Sequence, residues 1–249
     1  MTALALSTAS LLGLVLLSVG TDAGLLRLDS RHALTIDVIA HQWWWEFRYT
    51  DPDPARRFVT ANEMHVPVGR PVILQLTAED VIHSFWVPNL AGKKDLLPGR
   101  VTELILRADR PGNYRGQCAE FCGYQHAHMA MSVVAEAPMA YDAWASLQRL
   151  PAAPPASLLA QEGREKFESG TCALCHTVRG MEAGGNHGPD LTHVASRQML
   201  AAGTLRNSSD NLVRWISHPQ TFKPGVNMPD QQLSAHDLGA LVAFVSGLQ

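Results

Sequence analysis

Hydrophobic and polar positions divide the chain into stretches of different period. Residues 2 to 21 read TALALSTASLLGLVLLSVGT, without a charged side chain, and Asp22 ends the run. About 20 apolar residues is the length at which a helix spans a bilayer, so this stretch is expected to be a retained membrane helix. A cleaved signal peptide is the other reading. It would want a positive n-region and a shorter apolar core, and no Lys or Arg precedes this run. Residues 22 to 34 are expected to form a polar connector.

Leu34 to Thr50 holds three tryptophans in a row, Trp43, Trp44 and Trp45. From Phe58 to Ala137 the period becomes two. Val72, Leu74 and Leu76 alternate with Ile73, Gln75 and Thr77, and Thr102, Leu104 and Leu106 alternate with Glu103, Ile105 and Arg107. Short strands parted by Pro/Gly turns at Pro67–Gly69, Pro98–Gly99 and Pro111–Gly112 predict a sandwich or Greek-key barrel. A short helix is expected at 139–149. Leu150-Pro-Ala-Ala-Pro-Pro-Ala156 then reads as a semi-rigid linker that permits some reorientation of what it joins. Beyond Ser157 the pattern is helical, at about 158–169, 208–217 and 234–247, the last with Leu238, Leu241, Val242 and Val245 on one face. The predicted organisation is a membrane helix with connector (1–32), an all-β domain (33–149), a linker (150–156) and an all-α domain (157–249).

Composition narrows the function. Hydrophobic residues make up 46% and charged residues 17% of 249, with a net charge of -3. That excludes disorder as the main state and gives no basic excess for nucleic acid. The four cysteines fall in two tight pairs, Cys118/Cys122 and Cys172/Cys175. Four are too few for a disulfide scaffold, and the spacings suggest metal or cofactor chemistry.

Cys172-Ala-Leu-Cys175-His176 is a C-x-x-C-H motif. Two thiols at this spacing add to the vinyl groups of a haem while the histidine ligates iron. A redox dithiol would want a βαβ setting, and a zinc site would want a second ligand pair downstream. The sixth ligand is open among Met181, Met199 and Met228. Met181 is close to His176, and Met199 is expected in a helix. Met228, in the loop Lys223-Pro-Gly-Val-Asn-Met-Pro229, is the choice. His187, His193 and His218 are the alternatives in a bis-histidine reading. Gly188-Pro189 is expected to form a turn whose carbonyl accepts the Nδ1–H of His176. Covalent haem attachment takes place outside the cytoplasm, so everything after the membrane helix is expected on the periplasmic or equivalent side.

The run Gln117-Cys118-Ala-Glu120-Phe-Cys122-Gly-Tyr-Gln-His126-Ala-His128-Met129 offers two thiolates, an imidazole and a thioether. This soft set selects copper over hard cations. Cysteines at C-x3-C allow both sulfurs to bridge two coppers, and His83 in Asp80-Val-Ile-His83 is the best second histidine. A helical C-x3-C-x3-H zinc site is the competing reading, against which Gly123 and the Pro111-Gly112 turn argue for a loop. His41, His65 and His128 are expected to be packing or solvated residues.

Together C-A-E-F-C-G-x-x-H-x-x-M, D-V-I-H-S-F-W-V-P, H-Q-W-W-W and the L-P-G-R turn resemble subunit II of cytochrome c oxidase, in the type with a cytochrome c joined at the C-terminus. The resemblance runs from about Ala33 to Ala137 and from about Gly163 to Gln249. It implies a membrane-anchored protein with a cupredoxin-like Greek-key domain and a class I cytochrome c domain. It also implies a dinuclear CuA centre on His83, Cys118, Cys122, His126, Met129 and the carbonyl of Glu120. The Glu120 carboxylate would reach a magnesium or manganese ion shared with subunit I, and electrons would enter through Trp43. An interfacial aromatic belt is the other reading of Trp43–Trp45.

Two departures stand out. The family usually has two membrane helices where this chain has room for one, so no residue of the first helix is carried over. Trp44 stands where many relatives have tyrosine. The function implied is an electron relay of a bacterial inner-membrane terminal oxidase. It would pass electrons from a cytochrome c-type donor through haem c and CuA to subunit I, with subunit III a further partner, for oxygen reduction coupled to proton translocation. The CuA subunit of a nitric oxide reductase is the alternative.

Overall fold

The computed structural model describes residues 2–26 and 32–249. Helix α1 (Thr2–Leu26) is long and apolar enough over Thr2–Thr21 to cross a membrane. It continues into the expected polar connector, because Ala23, Gly24, Leu25 and Leu26 extend the apolar run past Asp22. Residues 27–31 of that connector lie outside the described residues.

Ten strands follow: β1 (Leu34–His41), β2 (Trp44–Thr50), β3 (Phe58–Ala61), β4 (Glu63–Pro67), β5 (Val72–Ala78), β6 (His83–Trp86), β7 (Lys94–Leu96), β8 (Thr102–Leu106), β9 (Gly112–Cys118) and β10 (Ala130–Glu136). They form two five-stranded sheets, ordered β3-β2-β1-β5-β8 and β4-β10-β9-β6-β7. The β pattern therefore begins at Leu34, earlier than periodicity from Phe58 suggested. Leu34, Ile36 and Val38 alternate inward on β1, and the tryptophans that obscured the pattern lie at its hairpin with β2. Strand β5 buries Val72, Leu74 and Leu76 in strict alternation, as a half-buried strand must. The inner faces share one core that includes Trp45, Phe47, Phe85 and Met131. Helix α2 (Pro138–Gln148) closes this domain, with Trp144 stacked on His65.

The C-terminal domain has its own core around Phe167, Leu241, Val242 and Val245. Its three longer helices, α3 (Leu158–Ser169), α5 (Ser209–Ser217) and α7 (Ala235–Val245), each begin after a serine whose hydroxyl accepts a free backbone N–H of the first turn. Helices α3 and α7 cross at Gly163, where a Cβ would meet the Ala240 carbonyl oxygen at 2.0 Å. Two short helices, α4 (Cys172–Cys175) and α6 (Pro219–Phe222), carry or adjoin chemistry-bearing residues. The domain also holds two minute hairpins, β11 (Thr177–Val178) with β12 (Ala183–Gly184) and β13 (Met199–Leu200) with β14 (Leu205–Arg206). Met199 thus lies on a strand rather than in the expected helix, because Ala201 and Ala202 take positive φ and turn the chain there.

The Pro/Ala segment is bonded rather than free. The Leu150 carbonyl faces His193 Nε2 at 3.0 Å, Ala152 N–H donates to the Arg179 carbonyl at 2.9 Å, and the Arg179 guanidinium reaches back to the Gln148 carbonyl. These contacts oppose the reorientation that its composition suggests.

Candidate metal and haem centres

Adjacent strands assemble the first site. His83 opens β6 and Cys118 ends β9, and these strands pair through Phe85 and Cys118. The loop between β9 and β10 is closed where Cys118 N–H donates to the Met129 carbonyl at 3.0 Å. It carries Cys122 and His126 back over Cys118. The Cys118 and Cys122 sulfurs stand 3.8 Å apart and form no disulfide. His83 Nδ1 lies 3.8 Å from Cys118 Sγ, and His126 Nδ1 lies 3.5 Å from Cys122 Sγ. Met129 Sδ is 3.9 Å from Cys122 Sγ, and the Glu120 carbonyl oxygen is 3.3 Å from Cys118 Sγ. Every expected donor therefore converges on the sulfur pair. Residues 119–125 are irregular, so the helical zinc reading does not hold: glycine at 123 adopts φ +110, which no helix contains.

The electrostatics follow from the two sulfurs. A hydrogen bond from Cys122 outweighs burial and lowers Cys118 to about 3, while Cys122 is pushed well above the ordinary thiol range by the same bond and by burial. One proton leaves easily and the second is opposed by the first thiolate. Soft cations held by the two sulfurs would relieve that repulsion, which suits the pair to copper. Behind His83, Asp80 Oδ1 accepts from Nε2 at 2.8 Å and fixes Nδ1 toward Cys118. Burial would lower the His83 pKa, but Asp80 and Cys118 hold it above its usual value. Asp80 Oδ2 also accepts the Gln42 N–H at 2.6 Å. Asp80 was not singled out from the sequence, although its place three residues before His83 could have pointed to it.

The second site is a cavity of roughly 290 Å³ whose lining includes Cys172, Cys175, His176 and Met228, with Leu212 and Trp215. His176 Nδ1 donates to the Pro189 carbonyl at 2.8 Å, the turn expected at Gly188-Pro189. Burial holds the ring below its usual pKa, leaving Nε2 as a bare lone pair. Gly188 lies so close that a Cβ there would meet the ring at 2.7 Å, so a side chain would push the imidazole out of place. The Met228 loop is held by Gln220 Nε2, which donates to the Met228 carbonyl at 2.7 Å and the Val226 carbonyl at 2.8 Å. An apolar cavity with two thiols, an oriented imidazole and a thioether fits a covalently attached haem.

Met199 and His187 also line the cavity, whereas Met181 packs in the domain core. Both nitrogens of His193 face carbonyls, and His218 is an exposed helix-end residue. His41 stacks on Trp44 at 4.1 Å, His65 lies between Glu63 and Glu136, and His128 bonds Gln125, so all three serve packing or hydrogen bonding.

Trp43 lies between the two sites. It lines the haem cavity, its Nε1 donates to the Cys122 carbonyl at 2.9 Å, and its ring packs on Gly123, where a Cβ would sit 3.0 Å from Cζ2. Glycine at 123 is required both by its φ of +110 and by this approach. Trp43 is 8% exposed and Trp45 fully buried, so the belt reading fails for these two: their rings are used up inside the protein. Lys223 and Gln42, which the sequence reading did not single out, complete this boundary. Gln42 Nε2 donates to the same Cys122 carbonyl at 2.7 Å.

Comparison with known proteins bears on both sites. Residues 52–137 match the family described as cytochrome C oxidase subunit II, periplasmic domain, and residues 160–249 match the family described as cytochrome c. The chain is 40% identical to a cytochrome c oxidase subunit 2 of Alkalihalophilus pseudofirmus over 86% of its own length and 61% of that relative. It is 30% identical to the Bacillus subtilis subunit 2 over 87% of its length and 63% of that relative. The chain thus spans a little over six tenths of the length of these relatives. Among solved structures it is similar to the periplasmic domain of subunit II of cytochrome oxidase of Bradyrhizobium japonicum, at 31% identity and a TM-score of 0.45, covering 48% of this chain and 95% of that one.

Proposed function

We propose, from the premise that this chain belongs to the cytochrome c oxidase subunit II family and carries a cytochrome c domain behind it, that it is the electron-transfer subunit of a respiratory haem-copper terminal oxidase. In this reading it accepts electrons from a cytochrome c-type donor and delivers them to subunit I, where oxygen is reduced to water with proton translocation. The oxygen-reducing site belongs to that other subunit. The observation that carries the reading is Trp43, which touches the Cys122 backbone on one side and lines the His176–Met228 cavity on the other.

The copper family and the cytochrome c family imply a copper centre and a haem. When bound, the two groups supply reversible one-electron chemistry. His83, Cys118, Cys122, His126, Met129 and the Glu120 carbonyl would hold the copper pair. Cys172, Cys175, His176 and Met228 would hold the haem. Asp80 orients His83, and Pro189 orients His176. The half-buried Glu120 carboxylate would hold a magnesium or manganese ion at the contact with subunit I.

The end of the β domain near the Cys118/Cys122 site supports a covering partner. Val81, Ile82, Trp86, Phe121 and Tyr124 are exposed there, Tyr124 at 92%. Apolar groups gathered this way mark interaction surfaces. Helix α1 would anchor the chain in the cell membrane with both domains outside.

Gentle detergent purification tests the reading. The expected result is two coppers and one haem per chain, with a copurifying subunit whose turnover consumes oxygen. Zinc in place of copper, a haem-free tail in exported protein, or turnover of nitric oxide in place of oxygen would each overturn it.

A further inference from the structure

A buried lysine joins the two domains. Lysine is almost never fully buried unless its charge is compensated, yet Lys223 is 2% exposed. Its Nζ donates to the Trp43 carbonyl at 2.8 Å and to the Ala201 carbonyl at 3.3 Å. The first acceptor belongs to the tryptophan hairpin of the β domain and the second to the haem domain. Lys223 is also the first residue of the loop that carries Met228.

The surroundings are built for this contact. Ala201, Ala202 and Gly203 are consecutively left-handed, at φ 52, 54 and 78. Two alanines in that region are strained. The turn directs the Ala201 carbonyl to Lys223 and the Ala202 carbonyl to the Ala130 N–H at 3.0 Å. At Gly203 a Cβ would come within 2.9 Å of the Ala130 Cβ. Beside Lys223, the Pro224 carbonyl accepts from Gln125 Nε2 at 2.7 Å, and Val226 packs against the β-domain core. Gln125 immediately precedes the candidate ligand His126, so one short loop touches the surroundings of both centres.

We propose that Lys223 is a positioning residue, a latch whose amino group, by donating to both domains, holds the Met228 loop against Trp43 and thereby sets the rate of electron passage between the haem domain and the copper domain. The proposal rests on the electron-relay reading above. It does not require Lys223 to touch either cofactor. The amino group acts through the Trp43 backbone, and the adjoining Gln125–Pro224 bond keeps the register of the loop.

The test uses the intact oxidase complex with Lys223→Met and Lys223→Gln. Three quantities are measured: the rate of haem-to-copper electron transfer after flash reduction of the haem, the optical spectra of both centres, and the dipolar coupling between the two oxidised paramagnetic centres. In Lys223→Met both hydrogen bonds are lost, and the transfer rate is expected to fall about tenfold as the latched geometry becomes the minor one. The dipolar distance distribution is expected to broaden while both optical spectra stay as in the unsubstituted protein. Lys223→Gln, which retains a donor, is expected to lie between the two. A wild-type rate and an unbroadened distribution in Lys223→Met would overturn the latch, as would a rate loss that accompanies loss of the methionine-ligated haem spectrum. Absence of transfer in the unsubstituted complex would instead sink the relay reading.

Discussion

The indole N–H of Trp43 donates to the carbonyl of Cys122 at 2.9 Å, tying the tryptophan hairpin to the loop that carries half of the candidate copper ligands. Phenylalanine keeps an aromatic ring but cannot make this bond. Trp43→Phe is expected to slow transfer from the haem domain to the copper domain while leaving the copper spectrum in place. It should lower the stability of the β domain by about 1 kcal/mol, the net worth of one hydrogen bond. Flash-reduction kinetics and chemical denaturation check the two effects separately.

Asp80 positions rather than ligates. Its Oδ1 accepts from His83 Nε2, so Asp80→Asn keeps the size and weakens the bond that fixes the ring. Copper affinity is expected to fall by about 10–100-fold, the usual consequence of losing an outer partner of a ligand. Competition with a copper chelator measures it, and an unchanged affinity would show that strand β6 alone holds His83.

Met228→Leu preserves apolar volume and removes the sulfur. The haem is expected to stay covalently attached and its potential to drop, by about 0.1 V or more given that axial ligands span roughly 0.8 V across haem proteins. The copper spectrum should be retained and the copper should remain reducible by a chemical reductant. Redox titration followed optically decides the point. An unchanged potential would turn attention to Met199 or His187, which line the same cavity.

Glu46 makes the β domain sensitive to acid. Burial would raise its pKa, but bonds to His41, at 3.0 Å, and to Arg48 hold its carboxyl below the usual range. A carboxylate lowered on folding contributes stability that is complete above the unfolded pKa and is lost as pH falls through the folded one. Glu46→Gln is therefore expected to cost about 1.5–3 kcal/mol at neutral pH, as for hydrogen bonds to charged groups. The difference from the unsubstituted protein should shrink on acidification. Denaturant midpoints at several pH values test this, and a gap that stays constant with pH would contradict it.

Local chemistry made the two cysteine motifs readable without a fold. C-x-x-C-H places its thiols and imidazole within one turn of chain, and Cys118 to Met129 lie within one hairpin loop. Period-two burial on β5 and the apolar face of α7 were legible for the same reason, since each depends on spacing inside a single element. The tryptophan run hid the β1–β2 hairpin, because consecutive buried residues at Val38–Ala40 and Trp45–Phe47 break the alternation that Leu34, Ile36 and Val38 begin. Composition likewise made residues 150–156 look free, whereas the Leu150 carbonyl faces His193 and the Ala152 N–H donates to the Arg179 carbonyl, both distant in sequence.

Sequence alone determined which donors this protein possesses and the cofactors they suit, because ligand chemistry is a property of residue type and close spacing. Only the tertiary structure decided that Asp80 backs His83, that Trp43 stands between the two sites, and that a lysine 180 positions away grips its carbonyl. Contacts between elements far apart in the chain leave no periodicity; they exist only once two separately built cores are pressed together.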